Sequence, residues 1–205
     1  WVNKMRSALT MLGIVIGVAA VIAMLAIGTG ASRKIQKEVS SVGSNLLIIM
    51  PGSRTQGGMR MGTGSQMTLT AADAEAIARD CRAVKAVAPT LRDGCQVIYG
   101  NQNWATTVQG TTSALLTVND SRLTVGRNLS EQDVRNATKV CIVGQTVIDN
   151  LFGGANPIGE VIRINKVPFT VIGALESKGQ GPMGQYQDDV IYIPLTTASK
   201  RVFGG

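Results

Sequence analysis

The chain has 205 residues, a formal net charge of +7 and no histidine, and 4% of its residues are aromatic. The lack of histidine removes the commonest general base and metal ligand. The scarcity of aromatic residues argues against a base-stacking surface. Because the basic residues are scattered rather than clustered, we predict no nucleic-acid binding, and the composition points to no cofactor.

The three cysteines do not form a CxxC pair, so a zinc site is not predicted. Cys141 lies in an apolar run and is expected to pack as a small hydrophobic residue. Cys81 and Cys95 have two open alternatives, since they either pair in an extracytoplasmic domain or stay free and buried.

An uncharged run extends over residues 7–32, and residues 8–27 would form about 30 Å of helix, the thickness of a bilayer core. An apolar stripe continues beyond this run at spacings of three and four, which predicts one helix over residues 7–42. We expect a membrane span that continues as a stalk, because a cleaved secretory signal would not share its helix with the mature protein. The predicted stalk stripe consists of Ile27, Ala31, Ile35, Val39 and Val42.

Gly13 and Gly17 form a GxxxG pattern inside the predicted span. Two glycines four residues apart let another helix approach closely, so they predict a helix-packing face. Glycine is also frequent in membrane helices generally, and both interpretations stay open. Basic residues flank the span on both sides, so the positive-inside rule gives no orientation.

The remaining chain mixes predicted strands and helices, which indicates an α+β domain in two lobes. Two glycine-rich stretches, residues 53–66 and 179–187, are predicted to be the most mobile loops. Strands are predicted at residues 45–50, 84–90, 96–99, 104–109, 139–143, 160–165, 167–175 and 190–194. Helices are predicted at residues 70–81, 113–118, 145–152 and 196–202, with a further helix start at Ser130.

Two motifs suggest a nucleotide site and an acid/base site, but the residues around each motif do not fit such a site. Gly179, Gly181 and Gly184 match GxGxxG, yet a proline interrupts the motif and a strand rather than a helix follows it. Asp188 and Asp189 begin a strand and are expected to face opposite sides, which argues against a paired acid/base site. The chain also lacks a P-loop, so we predict no catalytic residue and no ATPase activity of its own.

The sequence resembles MacB-type ABC transporter permeases of the MacB/FtsX-like superfamily. Residues 6–31 (RSALTMLGIVIGVAAVIAMLAIGTGA) are similar to the family's first membrane helix. The resemblance is strongest at residues 151–160 (LFGGANPIGE) and extends over essentially the whole chain. Further similar segments are residues 45–49, 126–130 (GRNLS), 143–144, 162–164, 169–173 and 189–195.

The resemblance implies that the chain is an excerpt of a four-helix permease of the bacterial inner membrane, which the start at Trp1 also suggests. Residues 1–43 would be the membrane helix and stalk, and residues 44–205 the extracytoplasmic core domain. That domain would consist of a porter-like lobe, residues 44–112 and 161–205, interrupted by an inserted lobe, residues 113–160.

The family also implies partners and a mechanism. Two permease copies would pair in the lipid bilayer, a cytoplasmic ABC ATPase would drive them, and Gram-negative members add a periplasmic adaptor and an outer-membrane channel. Movement would pass along the stalk to the outer domain by mechanotransmission. The main alternative is an extracytoplasmic sensor domain of a membrane receptor, and a membrane-tethered hydrolase is a weaker one.

Overall fold

The structure, a computed structural model, describes residues 2–41, 46–52, 55–56, 59–60, 69–179 and 187–204. Within these ranges, it does not describe the side chains of residues 2, 33–41, 55–56 and 59–60. The chain divides into two compact units, Trp1–Ser44 and Asn45–Gly205, which are treated separately below.

The first unit contains one uninterrupted helix, α1, over Val2–Ser41. The prediction of a single long helix is confirmed, and the helix begins earlier than expected because the residues before the apolar run also favour a helix. The hydroxyl of Thr10 donates to the carbonyl of Arg6 (3.1 Å), and that of Thr29 donates to the carbonyl of Leu25 (2.9 Å). These hydroxyls are therefore satisfied within α1 itself.

The second unit is a mixed α/β domain, as predicted. Its strands are β1 (Thr55–Gln56), β2 (Met59–Arg60), β3 (Leu91–Tyr99), β4 (Gln102–Thr111), β5 (Leu123–Gly126), β6 (Val140–Val143), β7 (Val161–Ile164), β8 (Val167–Leu175) and β9 (Val190–Pro194). Its helices are α2 (Ala71–Asp80), α3 (Leu115–Val118), α4 (Glu131–Arg135), α5 (Gln145–Phe152) and α6 (Leu195–Thr197), followed by a π-helix (Ala198–Val202).

Six of these strands form a closed ring. The sheet order is β5-β8-β6-β9-β4-β3-β7, and β7 also pairs with β8. On one edge of β7 Ile164 is opposite Val97 of β3, and on the other Ile162 is opposite Phe169 of β8. The ring therefore runs β3-β4-β9-β6-β8-β7 and back to β3, while β5 pairs with the second half of β8. Closure leaves fewer unpaired strand edges than an open sheet would.

The main hydrophobic core takes buried side chains from all six ring strands and from α5. Along β9 the side chains alternate, as a strand requires. Ile191 and Ile193 enter the main core, whereas Val190 and Tyr192 enter a smaller second cluster. The second cluster also contains Leu115, Leu129, Ile142 and Leu175.

Local signals placed several elements correctly. Thr70 and Asp73 form a capping box at the start of α2, where a helix was predicted, with Thr70 N donating to Asp73 Oδ2 at 2.7 Å. Helix α5 covers the predicted residues and stops at Gly153, which has a left-handed backbone (φ 60°). A two-residue turn with positive φ at Asn165 and Lys166 joins β7 to β8, where two successive strands were predicted.

Other predictions are wrong. Residues 46–50, expected as a strand, form no strand, and their apolar side chains are exposed, including Leu47 at 80%. Residues 84–90 are also irregular, since Pro89 lacks a donor for a strand ladder and β3 begins only at Leu91. The short strands β1, β2 and β5 were not predicted, and β5 is largely exposed, so no apolar period marked it.

The predicted division into two lobes stays a prediction. Strands β5 and β6 come from the segment 113–160, and they lie in the same sheet as strands from both flanking segments. Most of the predicted mobile stretch 53–66 and residues 180–186 lie outside the described residues, so their mobility also stays a prediction.

Candidate membrane and partner surfaces

Helix α1 is the candidate membrane surface. In the described part of the chain it is the one helix that is long and apolar enough to cross a membrane, over Asn3–Ser32, as judged by length and composition. None of this segment is buried, and Met24 is 78% exposed. Exposing so much apolar surface to water costs about 25 cal/mol per Å². The segment therefore requires cover by lipid or by other helices.

The predicted packing face at Gly13 and Gly17 is open. An added Cβ atom would meet nothing within 4 Å at either glycine. The backbone here is therefore accessible to a neighbouring helix, as the GxxxG pattern requires. A role for these glycines in packing stays a prediction.

The predicted stalk stripe is only partly described. Ile27 is 73% exposed and Ala31 is also exposed, while Ile35 and Val39 lie in α1 with undescribed side chains. Val42 lies outside the described residues. The backbone of α1 continues without a break past Gly28 and Gly30 to Ser41, and the role of the stripe stays a prediction.

At the start of the GxGxxG region, the backbone is held by hydrogen bonds to the carboxylate of Asp188. Asp188 accepts hydrogen bonds from Ser177 Oγ (2.6 Å), Lys178 N (2.8 Å) and Gly179 N (2.9 Å). The backbone N–H of Gln187 donates to the carbonyl of Gly179 at 3.3 Å, which joins the two ends of the loop. Among the described residues after the motif, the next element is strand β9 rather than a helix.

Asp189 faces the other way, as predicted for adjacent strand residues. Its Oδ1 accepts from Trp104 Nε1 (3.0 Å) and Thr106 Oγ1 (2.6 Å) of β4. Asp188 and Asp189 therefore have separate partners and do not form an acid/base pair. Within the described ranges, no group of three or more Cys, Asp or Glu side chains could hold a metal ion.

The GRNLS segment is organised around the nearly buried carboxylate of Asp133. Arg127 Nη1 donates to its Oδ2 at 2.7 Å, Ser130 N donates to the same oxygen at 2.9 Å, and Thr138 Oγ1 donates to Oδ1 at 2.9 Å. These bonds, Arg127 first, hold the pKa of Asp133 well below its usual range. The sequence predicted the helix start at Ser130. It did not predict the hydrogen bonds by which Asp133 joins the residues on both sides of α4.

The LFGGANPIGE segment builds the connection from α5 to β7. Gly153, Gly154 and Gly159 all have positive φ angles, a conformation that other residues rarely adopt. Tyr99 OH donates to Glu160 at 2.9 Å, and the ring centroid of Tyr99 lies 4.4 Å from that of Phe152. The segment thus fixes the end of β3 against α5.

All three cysteines are free. Cys81 is exposed, whereas Cys95 and Cys141 are buried, so Cys81 and Cys95 do not pair. Burial raises the pKa of Cys95, with a smaller contribution from the negative charge of Asp93, and burial alone raises that of Cys141. The two buried thiols are therefore harder to deprotonate than an exposed cysteine.

These features define a class: a mixed α/β domain in the same chain as an exposed apolar helix, with motifs that hold the domain's own backbone in place. The chain matches the model of the MacB-like periplasmic core domain over residues 7–205 and belongs to this family. The predicted resemblance is therefore confirmed.

Two relatives are both called macrolide export ATP-binding/permease protein MacB. The protein of Syntrophobacter fumaroxidans is 48% identical over 203 residues, which cover 98% of this chain and 28% of the relative. The protein of Bdellovibrio bacteriovorus is 45% identical over 203 residues, which cover 98% of this chain and 31% of the relative. The chain thus spans less than a third of the length of these relatives.

Two solved structures share the fold. The periplasmic region of MacB from Actinobacillus actinomycetemcomitans aligns with a TM-score of 0.65 and 23% identity, covering 84% of this chain and 75% of the other. The extracellular domain of the ABC-type transporter YknZ, from Gram-positive bacteria, aligns with a TM-score of 0.58 and 20% identity, covering 67% of each chain. Both confirm a mixed α/β domain of the MacB periplasmic type.

Proposed function

We propose that this chain is the first membrane helix and the extracytoplasmic domain of an ABC-transporter permease in the bacterial cytoplasmic membrane. The observation that carries the proposal is a similarity to MacB export permeases that covers both α1 and the domain. A helix that needs apolar cover and a domain braced by its own motifs suit such a permease better than an enzyme.

The ATPase acts from outside this chain, because the chain contains no P-loop. Hydrolysis on the cytoplasmic side moves α1, and α1 transmits the movement to the domain. The uninterrupted backbone of α1 from Val2 to Ser41 supports such a lever. A second permease copy packs at Gly13 and Gly17, where the helix surface is open.

The domain is extracytoplasmic, and in a Gram-negative host it meets an adaptor and an outer-membrane channel. Its lobes are residues 44–112 with 161–205, and residues 113–160.

The names of the relatives make a macrolide the first substrate to test. The full-length protein is expressed with its ATPase in a macrolide-sensitive, efflux-deficient bacterium, and growth inhibition by erythromycin is measured. We expect resistance that depends on ATP hydrolysis and is lost when the ATPase is inactivated. Unchanged sensitivity in cells that contain the assembled protein would contradict macrolide export. Resistance that survives ATPase inactivation would contradict the transporter assignment.

A further inference from the structure

The closed ring of strands has two ends, and the strand register assigns each connection to one of them. At one end lie the beginnings of β3, β6 and β8 and the last residues of β4, β7 and β9. There Leu91 is opposite Gly110, and Ile164 is opposite Val167. Helix α6 and the π-helix follow β9 directly, so they also lie at this end.

Basic side chains gather at this end from distant parts of the sequence. Asn165 Nδ2 donates to the carbonyl of Val202 (3.4 Å), which places the β7–β8 turn beside the π-helix. Thr197 Oγ1 donates to the carbonyl of Thr138 (2.8 Å), which places α6 beside the start of β6. The exposed cations of this surface, called the basic end below, are Lys139, Arg163, Lys166, Lys200 and Arg201.

These cations have few carboxylates near them. None of the five forms a salt bridge within the described part of the chain. Asp93 also lies at the basic end, and Glu131 is paired there with Arg135 at 3.3 Å. The opposite end is acidic by comparison, with the cations Arg122 and Lys178 among its carboxylates. The exposed carboxylates there are Asp120, Asp149, Glu160 and Glu176. The two ends of the ring therefore differ in sign.

The side chains of the basic end favour a charged surface, rather than a pocket on another protein, as the binding partner. Between its cations lie exposed polar residues, Asn165 and Ser199, rather than aromatic anchors. A stable protein interface needs an apolar core, whereas an anionic lipid surface attracts Lys and Arg through charge alone. We propose that the basic end docks onto anionic phospholipid headgroups at a membrane surface.

This inference rests on the proposed membrane insertion of α1.

The experiment uses the whole chain in lipid nanodiscs and measures energy transfer to an acceptor dye on the headgroups. In a Cys81→Ser background, Ser199→Cys carries the donor dye at the basic end, and Asn101→Cys carries it at the opposite end. Both positions are exposed, and the remaining cysteines are buried. One set of discs contains phosphatidylcholine alone, and the other also contains phosphatidylglycerol.

We expect transfer from position 199, but not from position 101, to rise in the anionic discs and to fall again at high salt. Arg201→Gln should lower the ratio of docked to free domain about fivefold, since a cation near such a surface contributes about 1 kcal/mol. Arg122→Gln, which removes the same charge from the acidic end, should leave the ratio unchanged.

Equal transfer in neutral and anionic discs, or equal effects of the two substitutions, would overturn the proposal. Transfer that rises only when a disc holds two chains would identify a protein contact and would also overturn it. Failure of the chain to enter discs at all would refute the proposed membrane insertion, which separates the two failures.

Discussion

Replacing Asp133 tests whether the GRNLS segment acts as a brace. The carboxylate accepts hydrogen bonds from Arg127, Ser130 and Thr138, and it is nearly buried. Asp133→Ala removes these acceptors and leaves their donors behind. Asp73 offers a matched control, because it closes the same kind of capping box at α2 but is exposed and lacks a cation.

The expected magnitudes differ because the surroundings differ. Losing a helix cap costs about 1 kcal/mol. At Asp133, an unpaired part-buried hydroxyl on Thr138 adds about 1 kcal/mol. The pair with Arg127 adds up to about 1 kcal/mol, since the Arg127 side chain is 54% exposed. We therefore expect a loss of about 2–3 kcal/mol for Asp133→Ala and a clearly smaller loss for Asp73→Ala.

The pH dependence has a defined sign. The pKa of Asp133 is lower in the folded protein than in the unfolded chain, so its contribution is fully present above about pH 4. It is lost as the pH falls towards the folded-state pKa. Asp133→Asn should therefore unfold with a shallower pH dependence below about pH 4 than the unchanged protein.

Chemical denaturation of the chain in detergent measures both effects, with near-ultraviolet circular dichroism reporting the domain. A free energy of unfolding that falls equally in the Asp133→Ala and Asp73→Ala variants would refute the reasoning. An unchanged pH slope in Asp133→Asn would show that the carboxylate is not held by its partners.

Three further substitutions or probes test other parts of the structure. Gly110→Ala should cost about 1–3 kcal/mol of stability, because its Cβ would lie 2.2 Å from that of Ala198, whereas Gly94→Ala on β3 has open space and should be near neutral in the same denaturation assay. Cys81 alone should react with a maleimide before unfolding, and rapid labelling of a second thiol, seen by mass spectrometry, would contradict the buried positions. Gly17→Leu should lower export while leaving membrane insertion intact, and normal export at normal protein levels would count against the packing face.

Local signals explain what could be predicted from the sequence. Helix α5 and strand β9 matched their predicted bounds. A glycine directly after α5 ends the helix, and β9 is an unbroken apolar run, so both signals lie in neighbouring residues of the sequence. The capping box of α2 is equally local. The adjacent carboxylates Asp188 and Asp189 faced opposite ways because strand geometry alone requires it.

Long-range pairing explains what could not be predicted. The contact of Val97 with Ile164 closes the ring, and no feature of either segment specifies its partner. The apolar residues 46–50 have strand propensity, yet propensity without a paired strand does not make a strand. The basic end escaped detection because Lys139, Lys166 and Arg201 are dispersed in sequence and meet only through the fold.

The central claim is that α1 transmits ATP-driven movement from the membrane to the domain. The most direct test compares Ser32→Pro with Ser32→Ala in the full-length transporter, reconstituted with its ATPase in liposomes. Proline at this position removes one backbone hydrogen bond of α1 and kinks the helix, at a cost of about 3 kcal/mol. ATP hydrolysis and macrolide transport are measured on the same vesicles. We expect Ser32→Pro to hydrolyse ATP without transport, with the domain still folded, and Ser32→Ala to behave normally. If Ser32→Pro assembles and transports at the normal rate, α1 is not the transmitter.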